Sequence, residues 1–419
     1  MKKNHLAMLS PLCLGLLAGN AHAALEPFSF GASENLQHQS NVGHSPDGSQ
    51  SADWISTTEF NAALNQAIGR DALVATAGVD LNRYKKSEHK QLNGTGYQGA
   101  AQFDWSTVGD LSGSIGADTQ RHQYISGGNT EIPGSTGSTV HNLQTDRHAF
   151  ARVTLGGESR WSISGGADAN DRRFSNSTFD ASDERQWSGN LGTRYATSPD
   201  LSFGLSGTYV HGEYPHAKAS DNTETVARFS TRSFNFNTKL QASGNSLLQA
   251  SVGYTSEDNQ ALANARHFVN GSLNWSWTPP SHFTVNVGLR RSSDADASTA
   301  ATNTGVVNAN NLNGTSVNNV AHLEVVYALT AKTSLDASAD YTQRKYADVH
   351  VLNGGGSGVV NGATRTTRLF LSAHFLPTRT TDVSCGGGRE TRHADTDLAN
   401  FANAYTDNYL QCSASIKFD

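Results

Sequence analysis

Asn274-Trp-Ser-Trp-Thr-Pro-Pro-Ser-His-Phe-Thr-Val-Asn-Val-Gly-Leu289 holds two alternating segments that meet at a hard stop. In the first, Leu273, Trp275 and Trp277 share one face, while Ser272, Asn274 and Ser276 share the other. In the second, Phe283, Val285, Val287 and Leu289 point one way, and Thr284, Asn286 and Gly288 point back. A period of two is the pattern of a strand with one apolar and one polar face. Pro279-Pro280 closes the first segment, because proline has no N–H to give to a ladder.

The same unit recurs along the chain. Tyr97, Gly99, Ala101, Phe103 and Trp105 oppose Gln98, Ala100, Gln102 and Asp104. Phe203, Leu205, Gly207 and Tyr209 oppose Ser202, Gly204, Ser206 and Thr208, and Leu335, Ala337, Ala339 and Tyr341 oppose Ser334, Asp336, Ser338 and Asp340. These apolar rows are too many for one water-surrounded core to absorb, so the expected fold is all-β: a transmembrane antiparallel up-and-down β-barrel. The alternation is faint over Ser112–Ala117, and the strand start near Ala363 is not placed by the pattern.

Short turns punctuate the pattern at Ile68-Gly-Arg-Asp71, Val108-Gly-Asp110, Gly156-Gly-Glu-Ser159, Ser198-Pro-Asp200, Ser243-Gly-Asn245, Pro279-Pro-Ser281, Thr330-Ala-Lys332 and Pro377-Thr-Arg379. Gly, Pro and Asn supply the dihedrals that a tight reversal needs. Longer polar stretches alternate with them at 40–52, 86–93, 126–140, 174–184, 214–224, 257–264, 293–316, 347–363 and 394–402. Short turns on one side and long loops on the other are the asymmetry of an outer-membrane barrel. The connections imply about eighteen strands, with sixteen also compatible, and each strand needs about 9–11 residues to span.

The 419 residues include 40 Gly and are 36% hydrophobic, with a mean hydropathy of -0.48. No run of about 18 apolar residues follows the N-terminal segment, which excludes spanning helices but not spanning strands. Residues 1–23 have the form of a secretory signal: Lys2 and Lys3, an apolar stretch from Leu6 to Leu17, and a small-residue cleavage site at Ala21-His22-Ala23. A lipoprotein signal ending at Cys13 is the alternative, but Ser10-Pro11-Leu12 is a poor match for one. The expected mature chain, 24–419, is then a single barrel domain of the bacterial outer membrane. Losing Lys2 and Lys3 takes the formal net charge from -6 to -8, and an acidic chain argues against nucleic acid as a partner.

Trp105, Trp161, Trp275 and Trp277, with Phe203, Phe283 and Phe375, all lie within a few residues of a short turn. Amphipathic rings favour the membrane–water boundary, so these form the expected periplasmic aromatic girdle. Cys385 and Cys412 fall on the outward face of neighbouring strands. An oxidising periplasm would permit a disulfide between them, and two small apolar residues facing lipid is the other reading. The last strand, from Tyr409, alternates Leu410, Cys412, Ala414, Ile416 and Phe418 with polar residues and ends on an aromatic followed by Asp419.

No catalytic or metal-binding motif stands out, so the expectation is a non-enzymatic protein without cofactor or metal. His148, His322 and His374 fall near the lumen, but the sequence does not join them to acids in a triad. Basic residues gather toward the long-loop ends of the strands. Those pointing outward would sit near lipopolysaccharide phosphates. Arg172, Arg290, Arg344 and Arg368 point inward and would form a positive constriction for an anionic solute. Asp168, Asp336 and Asp340 share the same wall, so the lumen is mixed, which suits a hydrated sugar chain.

Glu26-Pro-Phe-Ser-Phe-Gly-Ala-Ser-Glu-Asn-Leu-Gln-His-Gln-Ser-Asn-Val42 resembles the first strand and loop of the exopolysaccharide-operon outer-membrane barrels of the EpsL type. Ala72-Leu-Val-Ala-Thr-Ala-Gly-Val-Asp-Leu-Asn-Arg-Tyr84, Gln102-Phe-Asp-Trp105 and Ser198-Pro-Asp-Leu-Ser-Phe-Gly204 extend the resemblance over most of the mature chain. A broader porin-like barrel family fits the same pattern. The resemblance implies a role in moving a secreted polysaccharide through the outer membrane or holding it at the surface. The partners it implies are the polymer, the surrounding lipid and lipopolysaccharide, and periplasmic export machinery. The alternative is a general or solute-selective porin, and a barrel this wide is expected to close as a monomer.

Overall fold

A computed structural model describes residues 27–124, 141–157, 159–218, 224–259, 266–295, 315–353, 356–396 and 404–418. The expected signal segment 1–23 and the long loop at 126–140 lie outside the described residues. Eighteen strands make up the wall. The first six are β1 (Phe28–Gln39), β2 (Asp53–Ile68), β3 (Asp71–Tyr84), β4 (Gly94–Ser106), β5 (Leu111–Gln123) and β6 (Leu143–Leu155). The next six are β7 (Trp161–Phe174), β8 (Glu184–Ser198), β9 (Leu201–Lys218), β10 (Glu224–Ser243), β11 (Ser246–Asn259) and β12 (Arg266–Trp277). The last six are β13 (Phe283–Ala295), β14 (Thr315–Thr330), β15 (Thr333–Asn353), β16 (Gly356–Phe375), β17 (Thr381–Ala394) and β18 (Tyr405–Phe418).

Each strand pairs antiparallel with its neighbours in sequence, and β1 pairs β18 from Phe30 opposite Phe418 to Gln39 opposite Tyr409. The sheet is therefore closed and has no free edge. Partners in register stay on one face, so the outward row runs unbroken around the wall. Leu191 pairs with Gly165 and Gly207, Phe236 with Leu205 and Val252, and Leu323 with Val287 and Ala339. The polarity is that of a soluble protein turned inside out. Leu191 is 65% exposed and Leu371 59%, whereas Gln144, Arg344 and Asp407 are fully covered. An apolar belt on this scale is stable only against lipid.

Trp105, Trp161, Trp275 and Trp277 all stand on the outward face at the short-turn ends of β4, β7 and β12. Trp161 lies tilted against Tyr195 with ring centroids 4.6 Å apart, and Phe283 stacks on Tyr327 at 4.5 Å. A second outward ring at the opposite rim escapes sequence reading: Trp54, Trp187, Tyr209 and Tyr254. These residues lie mid-sequence between long loops, and no turn marks their height.

The stretch expected as a long loop at 347–363 is instead a paired extension of β15 and β16, with Val349 opposite Val360 and Asn353 opposite Gly356. Val349, Val351, Val359 and Val360 give it the β-branched composition of a ladder. The loop expected at 214–224 is also shorter, since β9 runs to Lys218 and β10 starts at Glu224, opposite it. The faint alternation at Ser112–Ala117 also has a cause. A Cβ on Gly113 would meet the Trp105 ring, and one on Gly116 would meet the Phe150 ring at 2.7 Å, so glycine sits where a neighbouring aromatic lies across the strand.

Cys385 and Cys412 are direct partners on β17 and β18, their Cα atoms 4.1 Å apart, and they form a disulfide on the outward face. It closes a loop with a sequence separation of 27, which in the chain-entropy account stabilises the fold by about 3–4 kcal/mol. Replacing both by Ala should lower the denaturant midpoint in detergent by an amount corresponding to about 3 kcal/mol. Reducing the parent protein should reproduce that midpoint.

Candidate functional site

The inner face is the candidate functional surface, and strand register decides what it carries. It divides into three arcs. On β2 to β7 every strand contributes an inward carboxylate, Glu59, Asp80, Asp104, Asp118, Asp146 and Asp168, and β2 adds a second, the buried Asp53 at its long-loop end. Each accepts hydrogen bonds from its wall neighbours. The Asn82 amide donates to Asp80 at 2.6 Å and the Gln102 amide to Asp104 at 2.8 Å. His148 lies between two of them, 2.8 Å from Asp118 through Nδ1 and 3.2 Å from Asp168 through Nε2. Arg152 approaches Asp168 at 3.4 Å.

From β8 to β13 the inner face presents mainly hydroxyls and amides, with Glu184, Arg194, Lys239, Glu257 and Arg290 spread among them. Asn237 donates to the Ser206 hydroxyl at 3.0 Å, Ser251 and Ser272 lie 2.9 Å apart, and Asn270 donates to Thr255 at 2.6 Å. Gly253 leaves the space into which the Asn235 and Asn270 amides converge; any side chain there would collide with both. A hydroxyl or amide satisfied once still has capacity for a passing solute.

The third arc, β14 to β18, is ionic and paired across strands. His322, Asp340, Arg368, Glu390 and Asp407 are successive cross-strand partners. His322 Nδ1 lies 2.8 Å from Asp340, the Arg368 Nε–H donates to the Tyr409 hydroxyl at 2.7 Å, and Tyr405 donates to Glu390 at 2.6 Å. Below them His374 Nε2 lies 3.0 Å from Asp336.

Arg172, Arg290, Arg344 and Arg368 all sit at inward positions, but they do not combine into a positive constriction. Arg172 is held between Asp146 at 3.2 Å and Glu184 at 2.8 Å. Arg344 is 1% exposed, too covered to meet a solute, and Arg368 is engaged with Tyr409. Arg290 alone is exposed, across from Ser272 and Val320. Asp168, Asp336 and Asp340 each lie beside a histidine. The cause of the difference is pairing across strands, which places acids beside Arg172 and a phenol beside Arg368, while Arg344 lies over the Tyr346 ring of its own strand. The Ser372 hydroxyl lies 3.5 Å from His374 Nε2, but Asp336 takes that same nitrogen, so the three do not form a nucleophile–base–acid relay. Among the described residues no cluster of His, Cys, Asp or Glu has the makings of a metal site.

At the long-loop rim, segments fold inward over the mouth. Val42 and Leu92 pack on the inward side chains of Ile55 and Tyr84, and all four are buried. A short 3-10 turn, Ser87–Leu92, follows β3, and a second, Ser177–Ser182, follows β7. Both are closed in the same way. The Tyr84 N–H donates to Asn93 Oδ1 at 2.7 Å, and the Phe174 N–H to Asp183 Oδ1 at 2.9 Å, nine residues on in each case. Phe179 on the second turn is buried against Tyr124 and Phe174. Burial pushes the Asp183 carboxyl above its usual range, and the Ser51 hydroxyl donating to Glu88 holds that carboxyl below it.

Among solved structures the chain is similar to the outer membrane protein opdK from Pseudomonas aeruginosa, at 13% identity and a TM-score of 0.47, over 93% of this chain and 99% of that one. It is also similar to the FrpB iron transporter from Neisseria meningitidis, at 9% identity, a TM-score of 0.46, and 97% and 83% coverage. The siderophore receptor PirA from Pseudomonas aeruginosa matches at 12% identity, a TM-score of 0.45, and 93% and 80% coverage. No family model matches the chain. No curated protein matches it either. The setting is decided by the wall itself, closed on eighteen strands, apolar outside between two aromatic rings and polar within. The protein is a β-barrel of the bacterial outer membrane. Its long-loop rim, with the pinned turns, is the cell-exterior mouth, and the short turns face the periplasm.

Proposed function

We propose that the barrel is a porin for hydrated, uncharged polar solutes of the sugar class, with a mild preference for cations among small ions. The observation that carries this reading is the inner face of β8 to β13, a surface mainly of hydroxyls and amides flanked by an arc of carboxylates and an arc of cross-strand ion pairs. Many weak hydrogen bonds favour entry without trapping the solute. Eighteen strands are enough to leave an aqueous interior. Passage of an exopolysaccharide, which the sequence resemblance implies, is the narrower form of the same proposal.

Reconstituted into planar bilayers, the protein should conduct, with a cation-over-anion preference below about tenfold. Linear gluco-oligosaccharides should reduce the ion current in proportion to occupancy. Asp118→Asn together with Asp168→Asn should bring the ion preference toward unity. Strong anion selectivity, or no conductance at all, would overturn the proposal. Deleting the gene and weighing secreted polymer tests the narrower form: unchanged polymer with intact solute uptake leaves a porin and removes the export role.

A further inference from the structure

Solute passage makes no use of the outer wall, yet that wall is not uniform. Just below the exterior rim, the outward positions of β4 to β7 are filled by Gly99, Ala101, Ala117, Ala149 and Ala169. Residues this small on four adjacent strands leave a groove of about 1230 Å³ on the lipid-facing surface, bounded on β8 by Trp187. The Trp187 ring is braced by Tyr209, with centroids 5.3 Å apart, and by His211 at 5.7 Å.

Four arginines stand along the top of the groove: Arg147, Arg173, Arg185 and Arg228. Asp171 sits among three of them, 3.7 Å from Arg147, 3.0 Å from Arg173 and 3.6 Å from Arg185. Glu213 lies 4.0 Å from Arg228. Two carboxylates therefore hold four guanidiniums in a fixed fan, and two positive charges remain in excess. All four side chains are 50–59% exposed, and each guanidinium carries five N–H donors, so most of those donors are open.

We propose that the groove and its arginines form a binding site for the phosphorylated, multiply acylated glycolipid of the outer leaflet, lipopolysaccharide, with acyl chains along the small-residue strip and phosphates on the guanidinium fan. Arg meets phosphate in a two-pronged fashion, and a guanidinium already oriented by Asp171 loses less freedom on doing so. Arg147 on β6 and Arg228 on β10 are four strand spacings apart, about 19 Å at ~4.8 Å per strand. That reach exceeds a single phosphate and matches a headgroup bearing two separated ones. The excess of two charges matches the same headgroup, and a groove four strands wide accepts several chains side by side. Arg291 supplies the contrast: it is also outward at the exterior side, but it is tied to the Val269 carbonyl at 3.2 Å and Asn319 Oδ1 at 3.1 Å.

The test uses the full-length protein in non-ionic detergent, with bound lipid counted by native mass spectrometry and Tm followed during titration. The probes are bisphosphorylated lipid A, the same glycolipid with its phosphates removed, and phosphatidylglycerol. Bisphosphorylated lipid A should bind one to one and raise Tm, and the phosphate-free form and phosphatidylglycerol should each bind at least tenfold more weakly. Arg173→Gln with Arg185→Gln should weaken lipid A binding at least tenfold, while Arg291→Gln leaves it unchanged. Equal binding of the phosphate-free probe or of phosphatidylglycerol overturns the proposal, as does an equal loss in Arg291→Gln. The probe series on the parent protein decides the matter even where the double variant fails to fold.

Discussion

Placing Arg at Leu191 should cost about 2–4 kcal/mol of folding free energy in a bilayer, while Arg at the adjoining Asn190 should cost under about 1 kcal/mol. Leu191 lies outward on β8, midway between Trp187 at the exterior ring and Tyr195 at the periplasmic ring, and is the most exposed large apolar side chain on its strand. A guanidinium there sits at the depth where lipid offers no partner. Asn190, one residue earlier, faces the lumen, where a charge keeps its water. The measurement is urea unfolding of the two variants in phospholipid vesicles, followed by tryptophan fluorescence. Equal costs at the two positions would mean that the outward face is not in lipid, and the wall would have to be read anew.

Asp407→Ala should release the first exterior loop and lower stability by about 2–4 kcal/mol. Asp407, on β18, is 2% exposed and accepts from Gln39 Nε2 at 2.9 Å, the Ser40 hydroxyl at 3.0 Å and the Asn41 N–H at 2.9 Å, with His44 Nε2 at 3.7 Å. Asn41 is wholly buried and turns the loop by bonding both ways to Ser45 at 2.8 Å. Taking away the carboxylate strands a buried N–H, which is worse than never having made the bond. Limited proteolysis within 40–52 should become fast in Asp407→Ala, with the rest of the wall intact. Asp407→Asn, which keeps one acceptor oxygen, should lie between it and the parent. A loop that stays protected in Asp407→Ala would show that Val42 and its apolar neighbours hold it alone.

The wall was legible because its signal is repetitive: a period of two in Phe283–Leu289 or Leu335–Tyr341 survives without knowledge of any partner. The short turns were equally plain, since Pro279-Pro280 and Gly156-Gly157 allow little else. The hairpin end of β15 and β16 was missed because glycine and asparagine in that stretch mimic a loop, while its valines, spread two by two, are outnumbered. The inner site was legible only in kind. Which way Arg172 or Arg368 points follows from counting, but whether it is free follows from what stands across the ladder. A slip of one residue would exchange Glu390 for Arg389 opposite Arg368. The guanidinium fan was hidden for the same reason: Arg147, Asp171, Arg185, Glu213 and Arg228 are far apart in sequence and meet only through four consecutive registers.

β1 is bonded on one side to β2 and on the other to β18, so the strand made earliest waits for the strand made last. Until then both carry a bare row of N–H and C=O groups some ten positions long, in a medium that cannot satisfy them. Insertion one strand at a time, in the order of synthesis, would leave that row open throughout. The molecule must therefore enter the membrane with its two ends already near each other, or against a host sheet that lends its own edge until the ring can snap shut.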